Sequence, residues 1–222
     1  MKTKEPQYNN IFEIKKKFGI TKLGMMANQV WIDDPKHFLF SLSRYKFVSK
    51  IFHNFDNVLE VGCGDGFYST VVKQSVKKLT CIDFDPVFIS DAKEKSNRKW
   101  KIKFLEHDII KKNFKGLYDG VYSLDVFEHI KKKNEKRFIK NSISGLSKNG
   151  VYILGIPSLE SQRYASKTSR LGHVNCKSGD DFQKLLKKFF HNVFLFSMND
   201  EIVHTGFVKM AHYIICICCV KK

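Results

Sequence analysis

A glycine-rich turn offers the most specific chemistry in this sequence. The segment VLEVGCGDG over residues 58–66 joins a short apolar run, typical of a buried strand, to three closely spaced glycines. Ligands of open α/β sheets bind outside the carboxyl ends of the strands, which is where such a turn lies. The dinucleotide fingerprint G-x-G-x-x-G is not met, because its last position is Phe67. We therefore expect Gly62, Gly64 and Gly66 to hold a small ligand that lacks a pyrophosphate.

Acidic residues near the strand ends indicate the charge of that ligand. Glu60 would repel a phosphate but suits a cofactor that carries sulfonium and ammonium cations. Asp83 ends the second strand near the offset of about 20 residues at which a carboxylate accepts hydrogen bonds from ribose, and Asp85 could share this task. Asp108 follows the third strand and can accept from an adenine amino group while Ile109 packs on the ring. A lone strand-end aspartate more often caps a helix or turn, but the three features in order predict S-adenosylmethionine.

The predicted cofactor site extends to the end of the fourth strand, and S-adenosylhomocysteine is the expected product. Its predicted residues are Glu60, Gly62, Gly64, Gly66, Asp83, Phe84, Asp108, Ile109, Leu124 and Asp125.

The acceptor of the methyl group is expected to bind among loops on the same side of the sheet. Methyl transfer requires alignment of the acceptor with the methyl carbon and, for a hydroxyl, removal of a proton. Histidine is the apt base near neutral pH. The predicted catalytic residues are His129, His173 and His204, and the predicted substrate-binding residues are Trp31, Arg163, Tyr164 and Asn175. The structural alternative is that the histidines are merely solvated and that Trp31 fills the core.

Strands and helices alternate around these residues. Strand patterns occur at 58–61, 79–82, 102–105, 121–124 and 151–156, and helical patterns occur near 67–77, 87–96 and 132–146. Such alternation predicts βαβ units and a parallel sheet. A last helix over 178–190 precedes two strands near 192–197 and 209–219, and the lack of a helix between these strands predicts that they pair antiparallel.

The first 54 residues are expected to extend this domain. Asp34 and Pro35 begin an amphipathic helix over 34–53, because an N-cap residue followed by proline starts many helices. The preceding segment 24–33 is apolar without a clean period and is expected to cover the site as a lid. We therefore predict an N-terminal extension at 1–54 and an S-adenosylmethionine-binding domain at 55–222.

These motifs resemble the Rossmann-like (class I) S-adenosylmethionine-dependent methyltransferases, most closely small-molecule O-methyltransferases of the ubiquinone-biosynthesis type. The likeness covers about residues 55–160 and includes IDFD at 82–85, HDI at 107–109 and YSLDVFEHI at 122–130. It implies an α/β, doubly wound, seven-stranded sheet in the order 3-2-1-4-5-7-6, with one antiparallel strand and helices on both faces. The tail, with GHVNCKSGDDF at 172–182, looks like a bacterial subgroup without assigned acceptors, some of it encoded near surface-polysaccharide genes. The resemblance thus implies O-methylation of a small molecule or of a sugar- or phosphate-type polysaccharide precursor.

The net charge keeps a nucleic-acid methyltransferase as the alternative. The formal charge is +17, but only five of the 39 basic residues are arginine, the side chain that phosphate and base readers favour. The lysines recur along the whole chain, which is typical of solvated helix faces. The fourth strand ends in SLDVF and lacks the Pro-Pro or Pro-Cys sequences of base methylases. A dinucleotide oxidoreductase and a binding module without catalysis rank lower still.

The composition predicts a soluble, cytoplasmic protein. The opening residues lack the apolar stretch of a signal peptide, and the longest apolar run, 213–220, is far shorter than the ~20 residues that span a membrane. The six cysteines lack the paired spacing of a zinc site, so reduced thiols and no bound metal are expected.

Overall fold

Three α-helices precede the first strand in the computed structural model, which describes residues 3–222. They are α1 (Asn10–Phe18), α2 (Met25–Asp33) and α3 (Pro35–Ile51). Asp34 caps α3, because its side chain accepts the Lys36 N–H at 3.0 Å while Pro35 fixes the first turn. The segment 24–33, whose pattern showed no clean period, is mostly helical and forms α2.

The strands form one mixed sheet. They are β1 (Asn57–Val61), β2 (Lys78–Asp83), β3 (Lys103–Glu106), β4 (Tyr118–Leu124), β5 (Leu146–Pro157), β6 (Phe190–Asn199), β7 (Ile202–His204) and β8 (Tyr213–Lys221). Their order across the sheet is β3-β2-β1-β4-β5-β8-β6-β7. Neighbours among β1 to β5 pair parallel, whereas β8 pairs antiparallel with both β5 and β6. The predicted doubly wound α/β class is confirmed.

The predicted strand count of seven was too low by one. The additional strand, β7, forms an antiparallel hairpin with β6, in which Met198 pairs with Val203. The turn at residues 200–201 is tight, and Asp200 has a φ of 49°. A strand this short carries too little alternation to be recognised in the sequence. Without β7, the observed strand order is the predicted one.

Helices cover both faces of the sheet. The further helices are α4 (Ser69–Lys73), α5 (Pro86–Lys95), α6 (Glu135–Ser142), α7 (Lys167–Gly172) and α8 (Gly179–Leu186). On one face α3, α4 and α5 bury residues such as Val48 and Ile89 against the strands. On the other face α6 and α8 do so through Phe138 and Phe182. Strand residues alternate between these two cores, because successive side chains point to opposite faces.

The hydropathy of the helices and the state of the cysteines were both addressed by the sequence analysis. Within residues 3–222, no helix combines the length and hydropathy needed to cross a bilayer. The six cysteines, all inside this range, are free thiols. The boundary after residue 54 and the cytoplasmic location stay predictions. Helix α3 packs directly on the sheet through Val48, as does Phe52 just after its end.

Candidate functional site

The glycine turn is held against the end of β2 by hydrogen bonds. The Gly62 N–H donates to the Ile82 carbonyl at 2.7 Å, and the Gly64 N–H donates to Oδ2 of Asp83 at 2.9 Å. The other oxygen of Asp83 accepts the Asp85 N–H at 3.0 Å. A carboxylate offers about four acceptor positions, so Asp83 retains capacity for ribose hydroxyls. Asp85 is occupied as the N-cap of α5, where it accepts the Val87 N–H at 2.9 Å.

The glycines of this turn are required by its conformation and by its close neighbours. Gly62, Gly64 and Gly66 have φ values of 81°, 53° and 67°, a region that L residues rarely adopt. A Cβ on Gly62 would lie 2.3 Å from a methyl carbon of Val126, and one on Gly64 would lie 2.6 Å from Sδ of Met26. The turn therefore touches both the loop after β4 and helix α2.

Helix α2 lies over the glycine turn. The Met25 N–H donates to Asp91 of α5 at 2.8 Å, and the Ala27 N–H donates to Asp65 of the turn at 2.7 Å. Burial raises the pKa of Asp65. The Met26 thioether fills the space next to Gly64, so a ligand that contacts this glycine has to displace it. This position fits the predicted lid segment, whereas its opening stays a prediction.

Glu60 lies in the core, and its predicted contact with the cofactor needs correction. The side chain is 1% exposed and accepts hydrogen bonds from Tyr45 at 2.9 Å, Tyr122 at 2.7 Å and the Cys81 thiol at 3.2 Å. Burial raises its pKa, although these hydrogen bonds oppose the shift. Strand alternation is the reason, because Glu60 shares with Val58 the face that packs on α3. It joins α3 to the sheet beneath the glycine turn.

The remaining predicted cofactor residues divide into available and buried side chains. Phe84 is 70% exposed beside Asp83 and presents its ring to solvent. Asp108 accepts the Ile110 N–H at 2.9 Å, so it also caps its turn, and Oδ2 lies 3.6 Å from the Lys111 ammonium. Ile109 and Leu124 are almost wholly buried in the two cores. Contact of Ile109 and Leu124 with the cofactor stays a prediction.

Asp125 at the end of β4 is paired with an arginine from α3. One guanidinium nitrogen of Arg44 lies 2.8 Å from both carboxylate oxygens, and the guanidinium stacks 3.9 Å above the Tyr213 ring. Burial lowers the pKa of Arg44, but the charge and hydrogen bond of Asp125 together with the nearby Tyr213 and Glu128 outweigh this effect, and the net shift is upward. The Asp125 N–H donates to the Tyr213 hydroxyl at 3.2 Å, and its φ is 56°. This ion pair fixes the backbone where β4 opens into the site.

The structure brings together two of the three predicted catalytic histidines. The rings of His129 and His173 pack edge to face with centroids 5.2 Å apart. Nδ1 of His129 lies 3.0 Å from the Gly172 carbonyl oxygen, and Nδ1 of His173 lies 2.7 Å from Oε1 of Gln162. Burial and the neighbouring His129 lower the pKa of His173. The N–H groups of Val174 and Asn175 both donate to the Glu128 carbonyl at 2.9 Å and so hold the two loops together.

Glu128 lies directly beside this histidine pair. It is 1% exposed, and its Oε1 lies 4.0 Å from Nε2 of His129. Burial and the nearby Asp125 charge raise the pKa of Glu128 well above the usual range. One donor atom each from Glu128, His129 and His173 lies within 4.8 Å of the other two. The prediction of no bound metal rests on cysteine spacing alone. These three donors contain no cysteine and come from loops that are distant in the sequence.

His204 does not join the other histidines, and its predicted catalytic role is corrected. It lies on β7 at the sheet edge, four strand positions from β4 and hence roughly 19 Å along the sheet. Its Nε2 lies 3.0 Å from Oδ1 of Asn199, and its Nδ1 accepts the Gly206 N–H at 2.9 Å. Both ring nitrogens therefore stabilise its own hairpin.

The predicted substrate-binding residues have different surroundings. Tyr164 is 77% exposed and stacks with the guanidinium of Arg163 at 4.7 Å, in the same short helical segment as Gln162. Asn175 is buried, and its Oδ1 accepts from the Lys177 ammonium at 3.1 Å. Trp31 of α2 is half exposed and packs edge to face on Phe38. Contact of these four residues with an acceptor stays a prediction.

Two important residues of the site were missed in the sequence. Arg44 lies on the buried face of α3 with Ser41, Tyr45 and Val48, so a charge on an apolar helical face was the available signal. Gln162 orients His173, but nothing in the local sequence distinguishes it from any polar loop residue.

The glycine turn and its neighbours fit a cofactor that contains a ribose. The exposed Phe84 ring lies beside Asp83 in this region. Asp83 keeps acceptor capacity, Phe84 offers a free ring, and the three glycines adopt positive φ values and have neighbours too close for a Cβ. Because Val126 contacts Gly62, the loop that leads to His129 begins next to this cradle.

Comparison with known proteins points to one family. Residues 58–150 match the family model described as a methyltransferase domain. The ubiquinone biosynthesis O-methyltransferase of Rickettsia canadensis (strain McKiel) is 32% identical over 114 residues, covering 50% of this chain and 45% of that protein. The enzyme of the same name from Rickettsia felis is 29% identical over 150 residues, covering 65% and 58%. The chain thus spans about half the length of the curated relatives it matches.

A solved structure shares the fold over most of its length. The N-methyltransferase NodS from Bradyrhizobium japonicum WM9, in complex with S-adenosyl-l-homocysteine, aligns with a TM-score of 0.62 at 19% identity. The alignment covers 81% of this chain and 85% of that one. Residues 58–150 of this chain thus match a methyltransferase domain, and the sheet has the Rossmann-like fold of S-adenosylmethionine-dependent methyltransferases.

Proposed function

We propose that this protein transfers a methyl group from S-adenosylmethionine to an oxygen atom of a small molecule. One juxtaposition carries the proposal. The cradle formed by the glycine turn and Asp83 adjoins, through Val126, the loop that carries His129, and His173 packs on this imidazole from the segment that follows α7. The names of the relatives, ubiquinone biosynthesis O-methyltransferase and malonyl-[acyl-carrier protein] O-methyltransferase, support an oxygen acceptor.

Each part of the site has a proposed task. The cofactor supplies an electrophilic methyl group on a sulfonium, and its leaving thioether is neutral and needs no acid. Asp83 holds the ribose, and the glycine turn admits the methionine part once Met26 moves aside. His129 and His173 assist the loss of the hydroxyl proton, either as a base or as ligands of a cation. Alignment of acceptor and cofactor contributes up to roughly 7 to 11 kcal/mol to the lowering of the barrier.

The acceptor class can be tested directly with labelled cofactor. We suggest incubation of the full chain with methyl-labelled S-adenosylmethionine and a panel of phenols, carboxylates, nucleotide sugars and glycan precursors, followed by mass spectrometry of the products. Asp83→Ala is the negative variant, and Asp180→Ala, on α8, is the matched control. A labelled oxygen in one product supports the proposal. Binding of S-adenosylhomocysteine by calorimetry without any transfer across the panel would contradict it.

A nucleic-acid acceptor is the second candidate, and the charge of +17 favours it. Scattered lysines predict binding that is weak, insensitive to sequence and lost at moderate salt, because counterion release dominates such contacts. Fluorescence anisotropy with RNA and DNA at increasing salt separates the two candidates. Tight binding at physiological ionic strength would put nucleic acid first.

A further inference from the structure

A cavity of about 260 Å³ lies on the face of the sheet that α3, α4 and α5 cover. Part of its wall is the linker (residues 19–24), which leads from α1 into α2. Aromatic rings make up much of the remaining wall, namely those of Phe38, Phe67, Trp100 and Phe104. Phe104 contacts Gly66 from this side, since a Cβ on Gly66 would lie 2.3 Å from its ring. The glycine turn therefore stands between the cavity and the cofactor cradle.

The linker is fixed across the cavity at both ends. Nδ2 of Asn97, just after α5, donates to Oγ1 of Thr21 at 3.3 Å. At the other end the Ala27 N–H donates to Asp65 at 2.7 Å. Gly24 packs so closely on Asp65 that a Cβ there would lie 2.4 Å from the carboxylate. The cavity thus depends on the linker and α2 lying in this position.

Asp65 gives the cavity a buried polar group. It is 5% exposed and lines the cavity, and each of its oxygens already accepts one backbone N–H. A carboxylate offers about four acceptor positions, so Asp65 can receive a further donor. Two lysines also line the cavity, but Lys95 pairs with Asp91 at 2.7 Å and Lys22 is exposed. The group best placed to orient a ligand is therefore an acceptor of hydrogen bonds.

The size and the walls of the cavity favour one class of ligand. An apolar cavity of about 150 Å³ can hold benzene, so a volume of about 260 Å³ accommodates a second fused ring. Aromatic walls pack favourably on aromatic rings, and a charged group would lose its hydration in so apolar a space. We propose that the cavity binds a neutral bicyclic aromatic molecule with one N–H or O–H group, which donates to Asp65. Apolar pockets with a few polar groups are typical of small-molecule sites.

The occupied cavity opposes binding of the cofactor. The ligand contacts the linker only while the linker lies across the cavity, and in this arrangement Met26 of α2 fills the space beside Gly64. A ligand stabilises the arrangement that it binds. Because S-adenosylmethionine has to displace Met26, the two ligands weaken each other, and thermodynamic linkage makes the effect reciprocal. The site does not depend on the identity of the methyl acceptor.

Indole is the probe for this site, and N-methylindole, which lacks the donor, is the matched control ligand. Isothermal titration calorimetry of the full chain without cofactor should show one indole per chain and about tenfold weaker binding of N-methylindole. Thr70 of α4 lines the cavity. Thr70→Phe places a ring in the cavity and should weaken indole binding at least tenfold, whereas Thr70→Ala leaves the space open and should bind indole as the wild type does.

A second titration measures the coupling to the cofactor site. Saturating indole should lower the affinity of the wild type for S-adenosylhomocysteine by about fivefold or more, and it should leave that of Thr70→Phe unchanged. Circular dichroism and melting temperature show that each variant is folded. Absence of indole binding by the wild type, or equal binding by folded Thr70→Phe, would overturn the site. Indole binding that leaves the affinity for S-adenosylhomocysteine unchanged would refute the coupling. Indole binding without any methyl transfer would support the site and count only against the proposed function.

Discussion

Two glutamates of this protein, Glu60 and Glu128, are equally buried but differently surrounded. Each is 1% exposed, and burial raises the pKa of both. Glu60 accepts hydrogen bonds from two tyrosines and a thiol, whereas Oε2 of Glu128 has no partner within the described part of the chain. Burial by itself therefore does not distinguish the two carboxylates, but the count of satisfied oxygens does.

The difference follows from the elements that carry the two residues. Glu60 lies inside β1, where neighbouring strands and α3 place donors at fixed positions. Glu128 lies in a short helical turn, Phe127–His129, after β4, where the chain leaves the sheet. Carboxyl-end loops of a parallel sheet can expose reactive groups because the scaffold beneath them is already stable. We expect mutations at the first glutamate to change stability and mutations around the second to change chemistry.

The largest expected effect is on turnover at the histidine pair. Replacement of His173 or His129 by Ala should lower kcat by about 10² to 10⁴, the range for loss of proton-transfer assistance. The affinity for S-adenosylmethionine should change little. Steady-state kinetics with the identified acceptor, together with calorimetry and melting temperature, would check this prediction. Equal turnover of both variants and the wild type would show that the histidine pair beside Glu128 has no role in the reaction.

The next largest expected effect is on cofactor affinity, in a variant that keeps both Glu60 and Glu128. Asp83→Ala removes charge-assisted acceptors worth roughly 1.5 to 3 kcal/mol, so the affinity for S-adenosylmethionine should fall at least tenfold. The fold should survive, although the Gly64 N–H loses its partner. Calorimetric titration measures the affinity. An unchanged dissociation constant would show that Asp83 supports the turn and does not bind ribose.

A matched pair of amide substitutions tests the comparison through stability. Glu60→Gln places an NH₂ group among the donors of Tyr45, Tyr122 and Cys81 and should lower the free energy of unfolding by about 1 to 3 kcal/mol. Glu128→Gln breaks no hydrogen bond to Oε2 within the described residues and should change the free energy of unfolding less than Glu60→Gln does. Urea unfolding of both variants gives the two values. Similar decreases in the free energy of unfolding would show that hydrogen bonding of the carboxylate oxygens does not distinguish the two sites.

The smallest effect is on the pH dependence of stability. Because burial raises the pKa of Glu60, the folded state binds the proton more tightly than the unfolded state does. This contribution to stability is fully present below the unfolded pKa of the carboxyl and is lost as the pH rises through the folded pKa. Glu60→Gln should remove this loss, so its unfolding free energy should decline less with rising pH in that window. Urea unfolding at a series of pH values measures both slopes, and parallel slopes would contradict the assignment.

Much of the fold and the cofactor cradle was determined by the sequence itself. The apolar runs define β1 to β5, and three glycines with positive φ require the turn that follows β1. Asp34 and Pro35 begin α3 as their local chemistry predicts. Such features depend on residues adjacent in the chain, so their physical causes can be recognised without the rest of the molecule.

Only the tertiary structure decided which polar residues meet. His129 and His173 come together because Glu128 and Gly172 bond their loops to each other, whereas the equally conspicuous His204 lies at the far edge of the sheet. Glu60 was predicted to contact the cofactor, but its side chain faces α3. Strand alternation fixes the side of the sheet to which Glu60 points, and the helix packed on that side decides its contacts. Contacts between distant segments depend on packing geometry and on which oxygens find donors, and neither is encoded in local spacing.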